Sequence, residues 1–175
     1  VWNAMIDRRP GVIVRARHVD DIAPTIAFAR ARGLDLAIRG GGHNVAGNGS
    51  VEGGVVLDLA DLHDVVVDPA ERTVRVQAGA TLAHVDAATA PHGLAAPIGV
   101  VSGTGIAGLT LGGGVGWLTR AYGLAADNLL AVDLVTADGE HLTADRAQHP
   151  DLFWALKGGG GNFGVVTAFT FRAYP

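Results

Sequence analysis

Short aliphatic runs, amphipathic stretches and blocks of glycine follow one another along this chain. Val12-Ile13-Val14 predicts a first strand. Over residues 19–32, Val19, Ile22, Ile26 and Ala29 recur at helical spacing and mark one apolar face. Asp20 and Asp21 suit the start of that helix and Gly33 its end, and Pro24 is tolerated because first-turn amides have no helical partner. Residues 34–38 predict a second strand running straight into Arg39-Gly40-Gly41-Gly42-His43-Asn44. Residues 55–59 and 65–67 read as short strands, and Asp68-Pro69-Ala70-Glu71 turns the chain into another at 73–77.

Thr81 caps a helix reaching Ala90, which Pro91-His92-Gly93 closes. Residues 129–137 and 140–143 form a hairpin across Asp138-Gly139. Pro150 opens a helix through Leu156 that Gly158 ends, and residues 165–171 form the last strand. Short helices and strands in this order predict an α+β fold rather than a doubly wound sheet. The expected division is a smaller lobe over about 1–67 and a larger one over about 68–175.

Composition narrows the function classes. With 49% hydrophobic and 17% charged residues, the 175-residue chain can bury a real core. A net charge of −4 and no basic run argue against nucleic acid or an anionic membrane as partner. No cysteine exists, so disulfides, thiolate metal sites and cysteine nucleophiles are excluded. No apolar stretch spans a bilayer and no signal-peptide pattern opens the chain, which predicts a cytoplasmic protein. The chain starts at Val1 without Met and ends just after a strand-like run, so both ends read as cut.

The 26 glycines cluster at 40–42, 47–54, 99–116 and 158–164, between strongly patterned segments. Clustered in this way, they suggest backbone lying close to a ligand. Two segments spell Gly-x-Gly-x-x-Gly, at 103–108 and 159–164. A dinucleotide site of the Rossmann kind needs a strand before and a helix after the glycines. The first match lacks a convincing strand and the second has the reverse order, so that reading is rejected. There is no P-loop either.

Gly40-Gly41-Gly42 lets consecutive N–H groups converge on one anion, with Arg39 adding charge; the plainer reading is a flexible turn. The segment 112–118 is read as a helix start packed against a flat ligand, against a plain glycine-rich core contact. The other histidines lack metal-ligand spacing, and no metal is expected. Asn48-Gly49-Ser50 is treated as a chance glycosylation sequon.

Taken together, Arg39-Gly-Gly-Gly-His43-Asn44, Val55-Val-Leu-Asp-Leu59, Val76-Gln-Ala-Gly-Ala-Thr81, Gly105-Ile-Ala-Gly108, Leu111-Gly-Gly-Gly-Val-Gly-Trp-Leu118, Tyr122-Gly-Leu-Ala-Ala-Asp-Asn128, Asp151-Leu-Phe-Trp-Ala-Leu-Lys-Gly158 and Gly161-Asn-Phe-Gly-Val-Val-Thr167 resemble the FAD-linked oxidases. These carry a p-cresol-methylhydroxylase-type (PCMH-type) flavin domain. The resemblance is closest to the branch of berberine-bridge-enzyme-like and 6-hydroxynicotine-oxidase-like proteins.

The resemblance implies two α/β lobes with FAD between them. The cofactor would be held by Arg39, Gly40, Gly41, Gly42, His43, Asn44, Gly47, Asp58, Gly79, Thr104, Gly105, Gly108, Leu109, Gly112, Gly113, Gly114 and Val165. It implies a covalent bond from His43 to the flavin 8α-methyl, since a neutral imidazole nitrogen can attack the electrophilic tautomer of oxidised flavin. It also implies hydride transfer from a small organic substrate to FAD, with oxygen as the electron acceptor.

Relatives with a second flavin bond place cysteine where this chain has Val101, and often histidine where it has Leu109, so one bond is expected here. No catalytic base is assigned. In the family the substrate domain and a C-terminal segment follow, and neither lies within these residues. Noncovalent reductases of the same fold lack a histidine in the first glycine loop, so His43 argues against them; a binding module without turnover is the other alternative.

Overall fold

A computed structural model describes residues 2–175. Eight strands form two sheets, as the α+β expectation requires. The first sheet holds β1 (Val12–Arg15), β2 (Leu36–Arg39) and β3 (Val55–Asp58) in the order β1-β3-β2, all parallel. Strands running parallel in one sheet need a crossover, and α1 (Ile22–Ala31) carries the chain from β1 to β2 on the two sides of β3. A 3₁₀ turn at Val19–Asp21 precedes α1, so Pro24 falls in the first helical turn, where its missing N–H costs nothing. No helix joins β2 to β3; that connection carries residues 40–54 and passes through the first glycine block.

The second sheet is antiparallel, in the order β4 (Val65–Asp68), β5 (Thr73–Gln77), β8 (Val165–Arg172), β6 (Leu129–Val135) and β7 (His141–Asp145). β4 already belongs to this sheet, so the change of sheet falls between Asp58 and Val65, before β4 rather than after it. Hydrophobicity alone does not tell these strands apart, because β3 and β4 are both short valine-rich runs. Their assignment depends on pairing: Val65 to Asp68 ladder with Thr73 to Val76 across the turn at 69–72.

β8 is the central strand and is buried over most of its length, with Val165, Val166, Ala168, Phe169 and Phe171 all in the interior. Leu57 on β3 and Leu59 just after it pack in one core with Val74, Val76, Phe169 and Phe171 from the second sheet. A shared core fixes the two sheets against one another, and the space between their edges becomes a permanent feature.

Between β5 and β6 the chain forms α2 (Leu82–Thr89), α3 (Ile106–Leu111) and α4 (Thr119–Tyr122), and α5 (Pro150–Ala155) precedes β8. Thr81 is the N-cap of α2, and its amide donates to His84 Nδ1 at 3.1 Å. Both Gly-x-Gly-x-x-Gly matches lie outside any strand–turn–helix unit. Gly105 caps α3 with no strand before it, and residues 159–164 run from α5 into β8.

Candidate functional site

A cleft of about 1000 Å³ opens between the two sheets. One wall is the end of β2 and the loop that follows it. The other is α3, the turn before it, and the segment leading into β8. Ligand pockets for small molecules run to roughly this size.

Two glycines make the cleft floor possible. A Cβ on Gly41 would lie 2.5 Å from Gly105 Cα, and one on Gly105 would lie 2.7 Å from Gly41 Cα. The two backbones therefore touch, which no side chain at either position permits. The approach is held from behind: Ile106 N donates to Ala80 O at 2.9 Å and Leu82 N to Thr104 O at 3.0 Å.

The amides of Gly41, Gly42 and His43 find no protein acceptor among the described residues. Gly42 has φ +72°, a left-handed conformation. Successive N–H groups in such a turn form a concave anion site. Arg39 lies beneath it: a Cβ on Gly42 would come within 3.3 Å of Arg39 Nε. The guanidinium is anchored by Asp58, whose two carboxylate oxygens lie 3.0 and 2.9 Å from Arg39 Nη1. The two residues are register partners on β2 and β3, so sheet pairing itself places the charge.

Further glycines leave room on the opposite side. At Gly108, Gly160 and Gly161 an added Cβ would meet nothing within 4 Å. All three line the cleft, so its wall is stripped of side chains where a flat ring can lie. Leu36, Leu109, Val165 and Val166 supply apolar surface around it.

Of the expected cofactor residues, Arg39, Gly40, Gly41, Gly42, His43, Asn44, Thr104, Gly105, Gly108, Leu109, Gly112 and Val165 line the cleft together. Gly47, Asp58, Gly79, Gly113 and Gly114 do not. Gly47 makes room for Ile6, and Asp58 acts through Arg39. Gly79 lies against the backbone of Leu59, and Gly114 against Leu109 and Ala125. Gly113 and Gly114 have φ of +101° and +78°, and their carbonyls accept from Ala126 N and Ala125 N.

Of residues 112–118 only Gly112 lines the cleft, and the segment runs on to Leu118, the N-cap of α4. Gly112 is the C-cap of α3, and Gly116 packs on the Ile98 backbone. Beyond Gly112 the glycines at 113, 114 and 116 turn against the protein itself, while Val115 and Trp117 are exposed. Two cleft regions escaped the sequence reading, Gly160-Gly161-Asn162 and Val45-Ala46 with Asn48-Gly49. The glycine clusters at 47–54 and 158–164 include Asn48-Gly49 and Gly160-Gly161-Asn162 but not Val45-Ala46, and nothing local says which glycine face meets a ligand and which meets the core.

The turn carrying Val101 stands apart. Thr104 N donates to Val101 O at 2.9 Å, and the Val101 side chain is exposed. Gly99, Val100 and Ser102 border a separate cavity of about 230 Å³, where burial pushes the Asp86 carboxyl above its ordinary range. Among the described residues there is no cluster of metal-ligating side chains, and no helix is long and apolar enough to cross a membrane.

A model of the FAD binding domain family matches residues 10–145. The (R)-6-hydroxynicotine oxidase of Paenarthrobacter nicotinovorans is 39% identical over 174 residues, which are 99% of this chain and 38% of that protein. The xylooligosaccharide oxidase of Thermothelomyces thermophilus is 34% identical over 176 residues, 99% of this chain and 35% of that protein. Among solved structures, 6-hydroxy-D-nicotine oxidase from Arthrobacter nicotinovorans superposes with a TM-score of 0.97 at 39% identity, covering 99% of this chain and 38% of that one. Glucooligosaccharide oxidase from Acremonium strictum, with its 6-S-cysteinyl, 8α-N1-histidyl FAD, superposes at 0.93 with 31% identity, covering 99% and 37%. The chain thus spans less than two fifths of the length of these relatives.

Proposed function

As a member of the FAD binding domain family, matched over residues 10–145, this chain belongs among the FAD-linked oxidoreductases, and we propose that it is the cofactor-holding part of an oxidase whose FAD is joined covalently to His43. The observation that carries this reading is the position of His43, on the rim of a glycine-floored cleft and next to a turn of unpaired amides. When bound, FAD supplies the two-electron acceptor.

The protein's own groups divide the remaining work. The amides of Gly41, Gly42 and His43, with Arg39 behind them, suit a pyrophosphate. The open positions at Gly108, Gly160 and Gly161 admit a planar ring against backbone. Leu109 and Val165 exclude water from its flank. His43 offers an imidazole nitrogen as the point of attachment. A second tether through sulfur has no donor within these residues, because position 101 is valine and the sequence holds no cysteine. The substrate is a small organic molecule and oxygen the acceptor, with the substrate wall supplied by sequence beyond these residues.

The full-length protein tests this. It should purify yellow and keep its colour after acid precipitation, with the flavin on the tryptic peptide 40–72. His43→Ala should bind FAD only reversibly, with no flavin adduct by mass spectrometry. An adduct surviving in His43→Ala identifies another anchor, and colour lost from the wild type on denaturation ends the covalent reading.

A further inference from the structure

Residues 2–8 run across the outside of the His43 loop and are tied to it at several points. Trp2 N donates to Gly42 O at 3.0 Å, and Asn3 Nδ2 to Val45 O at 2.7 Å. Ile6 occupies the space left by Gly47, where a Cβ would come 2.5 Å from Ile6 Cγ2. Arg8 Nη1 donates to Gly47 O at 3.1 Å and Ser50 O at 3.2 Å. The loop's own bonds are short-range, from Gly47 N to Asn44 O, Ser50 N to Gly47 O and Asn48 N to Asn44 Oδ1. Its external bracing in this region therefore comes largely from the strap.

At the end of the strap the Trp2 indole stacks on His43. The ring centroids are 5.9 Å apart and the planes differ by 19°. Neither ring nitrogen of His43 has a hydrogen-bond partner among the described residues, so no polar contact fixes the imidazole plane. Trp2 is 62% exposed and adds little to the core. The face it does cover lies on the attachment histidine.

We propose that Trp2 is the positioning residue for flavin attachment: the strap fixes the loop backbone and the indole fixes the ring plane, so that an imidazole nitrogen faces into the cleft. This rests on the reading of His43 as the attachment residue. In that reaction a bond forms between the imidazole nitrogen and the 8α carbon. The imidazole N–H and one 8α C–H break, and their two protons leave with two electrons as hydrogen peroxide on molecular oxygen. Bond formation of this kind depends on alignment as well as proximity, so releasing the ring plane slows attachment by about tenfold without removing it.

The test uses full-length apoprotein mixed with FAD in air, quenched in acid at intervals and read by flavin fluorescence of the denatured band. Trp2→Ala should attach flavin about tenfold more slowly than wild type, and Trp2→Phe should restore most of the rate because a ring again covers His43. In a His43→Ala background, Trp2→Ala should leave reversible FAD affinity and the melting temperature unchanged. Wild-type attachment rates in Trp2→Ala overturn the proposal and leave the His43 reading intact. Equal slowing in Trp2→Ala and Trp2→Phe with a common fall in melting temperature also overturns it, since that pattern is structural. No covalent flavin in the wild type removes the His43 reading, and the proposal with it.

Discussion

Gly41 and Gly105 meet backbone to backbone across the floor of the cleft, each lying where the other's side chain would be. One residue follows a strand of the parallel sheet and the other caps α3 beside the antiparallel sheet. The contact therefore joins the two halves of the molecule at the point where the cofactor is proposed to lie. Glycine at these positions and glycine at Gly108 have different causes, and alanine separates them. Gly41→Ala or Gly105→Ala should push the walls apart and lower the melting temperature sharply, at a cost of about 2–3 kcal/mol by overpacking. Gly108→Ala meets no protein atom and should raise helix stability by about 0.5–1 kcal/mol. Its methyl projects into the cleft, so reversible FAD affinity should fall at least tenfold. Thermal melts paired with FAD titrations in the His43→Ala background check both; unchanged affinity in Gly108→Ala would show that the ring does not lie on α3.

The Arg39–Asp58 pair should act on the glycine turn rather than on bulk stability alone. Asp58→Asn leaves a partly buried guanidinium without its charged partner and should cost about 2 kcal/mol. Reversible FAD binding should weaken along with it, because Arg39 supports Gly42. Arg39→Lys should not restore affinity, since a compact ammonium cannot both lie beneath Gly42 and bond Asp58 as the planar guanidinium does. Full FAD affinity in Arg39→Lys, measured by equilibrium dialysis, would show that only the charge is needed.

Thr110 is fully buried on α3, and its hydroxyl has no hydrogen-bond partner among the described residues. A buried hydroxyl left unpaired carries a desolvation cost that an apolar group of similar shape does not. Thr110→Val should therefore raise stability by about 1 kcal/mol in a denaturant melt and leave the cleft residues in place. A loss of stability in Thr110→Val would reveal a partner for the hydroxyl.

Acid should weaken the fold through two local carboxylates. The backbone amides of His18 and Arg17 hold the Asp21 carboxyl below its ordinary value of 3.8, and those of Gln148 and Ala147 do the same for Asp145. A depressed acid gives stability that is complete above the unfolded-state value and is lost as pH falls through the lower folded one. The double variant Asp21→Asn/Asp145→Asn should melt below wild type at pH 6, and the difference should close as pH falls below the ordinary carboxyl value of 3.8. A gap that stays constant with pH would rule out titration of these groups as its source.

Local patterning determined much of this protein. Apolar spacing at Val19, Ile22, Ile26 and Ala29 placed the first helix, and Asp138-Gly139 placed the hairpin of β6 and β7, because those elements form from neighbours in the chain. The order of motifs around Gly40-Gly41-Gly42-His43 placed the family and the glycine turn. Tertiary structure decided which sheet β4 joins, since two valine-rich strands look alike until their hydrogen-bond partners are known. It also sorted the glycines, with Gly108 and Gly161 facing open space and Gly79 and Gly114 packed against the protein itself. Strap residues Trp2 and Ile6 belong to no motif, and their role comes from lying across a loop some forty positions away. Sequence spacing reports what a residue does to its neighbours in the chain, whereas a cleft is made from residues that only packing brings together.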